Sequence, residues 1–208
     1  MKKAMLRCVW TIMLLGWFAG GVVAQEYLEL NPPKATADPT KVEVIEFFWY
    51  GCPHCFQFEP YLEAWLKEKP AEVTFRRQPV IFGPKWAPQA KGFFTAEVLG
   101  VVDKIHQDFF RAMHVDKKPM ASEEELAEFF AAHGVDRKAF ADAFRSFAVD
   151  VKMRQAETLA AEYGITGVPS LVVNGKYAIT GQTAKSYARM IEVLKEMIER
   201  ERKLMAAR

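Results

Sequence analysis

Cys52-Pro53-His54-Cys55 places two thiols and an imidazole within four residues. A disulfide between the two cysteines would close a very short loop. Its chain-entropy stabilisation would be small, because that effect grows with loop length. A structural staple is therefore a poor explanation. Thiol–disulfide chemistry, metal binding and an inert buried pair remain. Zinc takes four ligands, and this segment supplies two thiols. His106, His114 and His133 lie far along the chain and form no pair at ligand spacing; they read as helix-surface or core histidines, and no metal site is expected. Redox chemistry has a positive argument. A cysteine at a helix start meets unpaired N–H groups and the positive end of the helix dipole, both of which favour a thiolate. His54 adds a cationic donor close by. Cys55, nearly one turn on, is within bonding reach of Cys52, and the geometry exposes the first cysteine and buries the second. A stabilised thiolate is a good leaving group, so the disulfide would be easily reduced and therefore oxidising.

That argument needs a strand before the motif and a helix after it. Val42–Tyr50 is β-branched, aromatic and almost continuously apolar, the pattern of a strand buried on both faces. Gly51 ends it, and Pro53 suits the first turn of a helix running from about Cys52 to Lys69 and stopping before Pro70. Val73–Gln78 is a second strand. From Trp86 to Tyr163 the period turns helical. Val102, Ile105, Phe109 and Met113 share a face, Ser122 with Glu125 forms a capping box, and Asp136 is a further N-cap. Gly164 closes the block. Strand signals return at Ser170–Val173, Asn174-Gly175 is a hairpin turn, and 176–180 is the partner strand. A last helix starts at about Ala184. The order β-α-β, helical block, β-β-α predicts an α/β fold, one mixed sheet flanked by helices with an inserted helical subdomain. The divisions expected are 1–24, 25–84, 85–163 and 164–208.

The chain has 208 residues, 50% hydrophobic and 26% charged, which suits one packed domain with an insertion and excludes a disordered or fibrous chain. Its net charge of +2 is unevenly placed. Residues 1–24 carry Lys2, Lys3 and Arg7 and no acid; the remainder is at −1, with no basic footprint for nucleic acid. The basic start, the apolar run Val9–Gly20 and the small residues to Ala24 form a secretory signal peptide, with cleavage expected after Ala24. The rival, an uncleaved anchor, has only 17 mostly apolar residues from Cys8 to Ala24, short of the roughly 20 needed to span. Export implies an oxidising compartment, and the short Lys-rich start points to a bacterial periplasm. Cys52 and Cys55 are then the two cysteines of the mature chain.

Further residues have two readings. Glu46 alternates with Val42, Val44 and Phe48 and so faces a core. A buried carboxylate there is either paired, with Arg77 as the candidate, or a proton acceptor tuning the thiols. Glu59, one turn past Cys55, has the same two readings, with a solvated face favoured. Trp49 and Tyr50 read as core and rim aromatics. Pro169 is either a plain strand-start proline or a cis bond shaping a binding surface.

The segments Glu46-Phe47-Phe48, Cys52 through Glu59, and Gly164 through Gly167-Val168-Pro169 to Tyr177 resemble the thioredoxin superfamily, and within it the periplasmic disulfide oxidants of the DsbA type. The resemblance covers essentially the whole mature chain, and the helical insertion has the family's size and place. Pro-His between the cysteines separates this branch from reducing thioredoxins, which carry Gly-Pro. The resemblance implies a thioredoxin-like fold, a nucleophilic Cys52 preceding Pro53, a buried partner Cys55, and His54 as thiolate stabiliser. It also implies a cis-Pro169 facing the site, Val168 offering backbone bonds to an extended substrate, Glu46 as the buried acid and Glu59 as a nearby charge. The family's buried lysine is missing, and Arg77 stands as its candidate replacement.

The expected function is a monomeric periplasmic thiol:disulfide oxidoreductase that donates the Cys52–Cys55 disulfide to unfolded exported proteins with free thiols. A membrane oxidase of the DsbB type would reoxidise it. No cofactor is expected, because the thiols carry the electrons. The alternatives are a reductase or isomerase on the same fold, a peptide-binding or chaperone module in which the cysteines are incidental, and a zinc-binding module.

Overall fold

The computed structural model describes residues 25–207. The expected leader, its cleavage after Ala24, and Cys8 lie outside them. Five strands form one mixed sheet: β1 (Leu28–Glu29), β2 (Val42–Phe48), β3 (Val73–Pro79), β4 (Ser170–Val173) and β5 (Tyr177–Thr180), in the order β1-β5-β4-β2-β3. The strand β2 runs parallel to β3 and antiparallel to β4, with Glu46 opposite Arg77 on one side and Leu171 on the other. Every residue of β2 is buried, Glu43 and Glu46 included, as its almost continuously apolar run predicts.

Alternation along β2 sends its side chains into different cores. Val42 and Val44 pack with Phe58, Leu62 and Trp65 of α1 (Pro53–Glu68) and with Met190, Val193 and Leu194 of α8 (Tyr187–Ala206). Ile45 and Phe47 face the other way, against Ala160 of α6 (Phe147–Glu162) and the following Tyr163 and Ile165. Helix burial against both faces supplies the hydrophobic stabilisation that a sheet of this size needs.

Between β3 and β4 lie α2 (Ala87–Val98), α3 (Val102–His114), α4 (Glu123–Ala132), α5 (Arg137–Phe144) and α6. Their core is rich in phenylalanine and extends to Phe48, Tyr50, Cys52 and Cys55, so the helical block packs directly against the motif. The start signals hold. Ser122 and Glu125 make both bonds of the capping box, and Asp136 accepts from the N–H of Ala139. Asn174 and Gly175, both at positive φ, turn β4 into β5.

Two expectations change. Residues 25–41 are more than a lead-in: Leu28 and Glu29 pair with Ala178 and Tyr177 and extend the sheet. Two residues are too short for a periodicity signal, and their pairing is decided by a strand 150 residues away. The expected single last helix is two. The short α7 (Gly181–Ala184) is capped by Thr180 and Thr183, Lys185 turns left-handed at φ 64°, and Ser186 caps α8. That break sets where α8 begins beside the motif.

Candidate active site

The motif sits at the junction of β2 and α1. Cys52 is extended and Pro53 opens the helix, where its missing N–H costs nothing. The Cys52 N–H bonds the Trp49 carbonyl at 3.0 Å and its carbonyl accepts the Phe56 N–H at 3.1 Å, which fixes the turn. Gly51 is required there: a Cβ would stand 2.3 Å from the Trp49 ring. That ring stacks on Trp86 at 4.0 Å and donates its Nε1–H to Gln89. Both cysteines are free thiols; Cys52 retains 8% exposure and Cys55 none.

The two thiols are driven apart electrostatically. The Cys55 thiol hydrogen-bonds the Cys52 sulfur and, with the N–H groups of Cys55 and His54 and the charge of His54, lowers the Cys52 pKa from 9.0 to about 6 against the effect of burial. Cys55 is pushed well up, first by burial and then by Cys52 itself. The Cys52 Sγ also lies 3.6 Å from the Val168 carbonyl, the residue before Pro169, and the Val168–Pro169 bond is cis. His54 is exposed, and its Nδ1 lies 2.9 Å from the Tyr187 hydroxyl at the start of α8.

A charged cluster lies beside this pair. Glu46 is fully buried, with Oε2 3.2 Å from the Arg77 Nε. Arg77 also contacts Glu59 at 3.3 Å and Glu63 at 2.7 Å. Burial, reinforced by Glu59, raises Glu46 well above the carboxylate range, and Arg77 offsets this only partly. Of the carboxyl groups around Arg77, Glu46 is the one shifted toward its protonated form. Burial alone would raise Glu59 too, but His106, Arg77 and Gln107 outweigh it and hold Glu59 ionised. The expected pairing of Glu46 with Arg77 is present.

Glu59 departs from expectation. It is 1% exposed instead of solvated, because α3 covers it: Gln107 donates to its Oε2 at 2.6 Å, and the His106 Nε2 lies 3.4 Å from its Oε1. His106 is a member of the site that its position in the chain concealed. Its Nδ1 lies 2.7 Å from the Tyr50 hydroxyl. A neutral ring whose Nδ1 accepts from the Tyr50 hydroxyl satisfies that contact, while the Nε2–Glu59 Oε1 approach at 3.4 Å lacks hydrogen-bond geometry. Burial and the Arg77 charge lower the His106 pKa, which favours that neutral form. His114 donates to the Tyr50 carbonyl at 2.7 Å and stacks on Phe56, so α3 grips the motif from both sides. His133 stays apart, beside Asp108. Among the described residues no group of three or more His, Cys, Asp or Glu could hold a metal ion.

Beside Pro169 runs a groove of about 660 Å³, bordered by His54, Tyr61, Val168, Thr180, Lys185 and Tyr187. Residues 43–189 match the family described as DSBA-like thioredoxin domain. The chain belongs to that family. It is 45% identical over 180 residues to the thiol:disulfide interchange protein DsbA of Azotobacter vinelandii, an alignment covering 86% of this chain and 84% of that protein. Identity to the Pseudomonas aeruginosa protein of the same name is 42% over 178 residues, with the same coverage. The crystal structure of Pseudomonas aeruginosa DsbA superposes with a TM-score of 0.82 at 41% identity, covering 86% of this chain and 94% of that one. With the family match and this superposition, the expected thioredoxin-like fold with its inserted helical block is the observed one.

Proposed function

We propose that this chain is a protein dithiol oxidant that introduces disulfides into exported proteins. The observation that carries this reading is the opposed tuning of one thiol pair: Cys52 at about 6, Cys55 far above its ordinary value. In the disulfide state, a substrate thiolate attacks the Cys52 sulfur. The Cys52–Cys55 bond breaks, and Cys55 leaves as a thiolate that takes up a proton. Glu46, shifted toward its protonated form by burial, is the buried acid suited to supply it. A second substrate thiolate then attacks the substrate sulfur of the mixed disulfide. Cys52 departs as a stabilised thiolate, so two electrons have passed from the substrate dithiol to the enzyme pair. The same stabilisation makes reduction of the enzyme favourable and so makes the disulfide oxidising.

The groove beside Val168 and Pro169 suits an extended peptide next to the attacked sulfur. Residues 1–24 are read as the export signal, 25–84 and 164–208 as the two parts of the thioredoxin-like unit, and 85–163 as the insertion. The protein acts in the periplasm as a monomer. The reduced enzyme returns its electrons to a membrane oxidase of the DsbB type.

The test is the reduction potential of the Cys52–Cys55 pair in a glutathione buffer, on protein lacking residues 1–24. A value of about −180 mV or higher is expected. A value near about −270 mV, as in a reducing thioredoxin, would refute the oxidant and leave a reductase on the same fold.

A further inference from the structure

His54 is exposed, yet its ring is not left to solvent. Its Nδ1 lies 2.9 Å from the Tyr187 hydroxyl, and that hydroxyl donates to the Gln57 Oε1 at 3.2 Å. With the phenol proton engaged by Gln57, the phenol oxygen is the acceptor and the His54 Nδ1 carries the hydrogen. The contact joins parts of the chain 133 residues apart, and it depends on where α8 starts. Lys185 turns left-handed, Ser186 caps the helix by accepting the Arg189 N–H, and Tyr187 follows as the first helical residue. Its ring packs at 5.8 Å from both Phe58 and Tyr61, which holds the hydroxyl in place.

We propose that Tyr187 is a positioning residue for the thiol chemistry: its hydroxyl accepts the His54 Nδ1–H and holds that imidazole at the mouth of α1, within electrostatic reach of Cys52. The choice of a phenol matters. A carboxylate at this place would hold the ring equally well but would cancel the charge of the imidazolium. A neutral acceptor orients the ring while leaving its charge for the Cys52 thiolate. The surroundings agree. The groove that Tyr187 and His54 share is lined by no Asp or Glu; its other titratable groups are Tyr61 and Lys185. Burial, followed by Cys52, Cys55 and Tyr61, raises the Tyr187 pKa and keeps it a hydroxyl. Tyr187 therefore joins a wall of the groove to the tuning of the reactive sulfur.

This inference rests on the oxidant reading of the thiol pair, and one titration separates the two. The reduced full-length mature protein is titrated by its ultraviolet thiolate absorbance, and its potential is measured in glutathione buffer. Tyr187→Phe keeps the ring contacts and loses the acceptor. It is expected to reduce the Cys52 acid dissociation constant about threefold and shift the redox equilibrium about threefold toward the disulfide, about 14 mV. Gln57→Leu, which frees the hydroxyl without touching Tyr187, should shift both in the same direction by about half as much on a logarithmic scale. In a His54→Ala background, Tyr187→Phe should change neither. An unchanged midpoint in Tyr187→Phe, or an equal shift with and without His54, would overturn the positioning role. A wild-type midpoint near the ordinary thiol value would instead overturn the oxidant reading and this inference with it.

Discussion

The depressed Cys52 pKa has a thermodynamic consequence that needs no substrate. In the unfolded chain the thiol titrates near its ordinary 9.0; in the folded, reduced protein it titrates at about 6. Between these values the unfolded state binds one more proton than the native state. The stability of the reduced protein therefore rises with pH there, by about 1.4 kcal/mol per unit. Because the folded pKa is the lower one, the contribution is complete above about pH 9 and is lost as pH falls to about 6. Three units correspond to about 4 kcal/mol at most, and the remaining solvent contact of Cys52 reduces this to about 2–3 kcal/mol. At pH 7 only the lowest unit of the window is gained, about 1 kcal/mol. The disulfide form has no thiol to ionise and lacks the contribution, Glu46, Glu59 and His106 are present in both forms, and Cys55, raised by burial, takes stability from the reduced protein only as pH passes its ordinary 9.0. The assay is urea unfolding of reduced and oxidised protein from pH 5 to pH 9, with reduced Cys52→Ser as reference. The reduced-minus-oxidised difference should climb with pH above about 6 and flatten near 9. A flat difference, or the same climb in Cys52→Ser, would refute the thiolate account.

Three further outcomes follow from packing and charge. Arg77→Met removes the cation shared by Glu46, Glu59 and Glu63 and should cost about 3–5 kcal/mol in urea unfolding, because it strands buried carboxyl groups. Glu201→Leu should cost about 2–3 kcal/mol in the same assay. Glu201 lies near the end of α8 and accepts from Asn174 and Lys176 at 2.6 Å and from Tyr177 at 3.1 Å, tying the helix to the β4–β5 hairpin. Gly175→Ala should lower the melting temperature, since its Cβ would meet the Lys34 carbonyl oxygen at 2.2 Å and its φ is 64°; at Gly83, extended and with open space around it, the same change should be nearly silent.

The chemistry of the motif was legible in the sequence because it is local. Cys52 and Cys55 stand one turn apart, Pro53 suits the first turn of a helix, and the β-branched, aromatic run before Gly51 suits a buried strand. Ser122 with Glu125, Asp136 and the Asn174-Gly175 turn were readable for the same reason: each signal and its bonding partner lie within four residues. The inserted helical block was visible as a change of period. Glu46 was legible in part, since strand alternation sends it inward, but alternation does not say which partner it meets or that it keeps its proton.

Tertiary structure decided the rest. Glu59 reads as exposed on its own helix; it is buried because α3 lays His106 and Gln107 over it. His106 carries no local mark of function, and its role comes from standing between Tyr50 and Glu59. Tyr187 meets His54 only because Lys185 breaks the chain between α7 and α8 and turns the new helix toward the motif. The sequence by itself determined which atoms can react and which local elements hold them, because those depend on short-range sterics and hydrogen bonds. The setting of their protonation depends on charges and burial brought together from distant parts of the chain, and these exist only once the sheet and the helical block have packed.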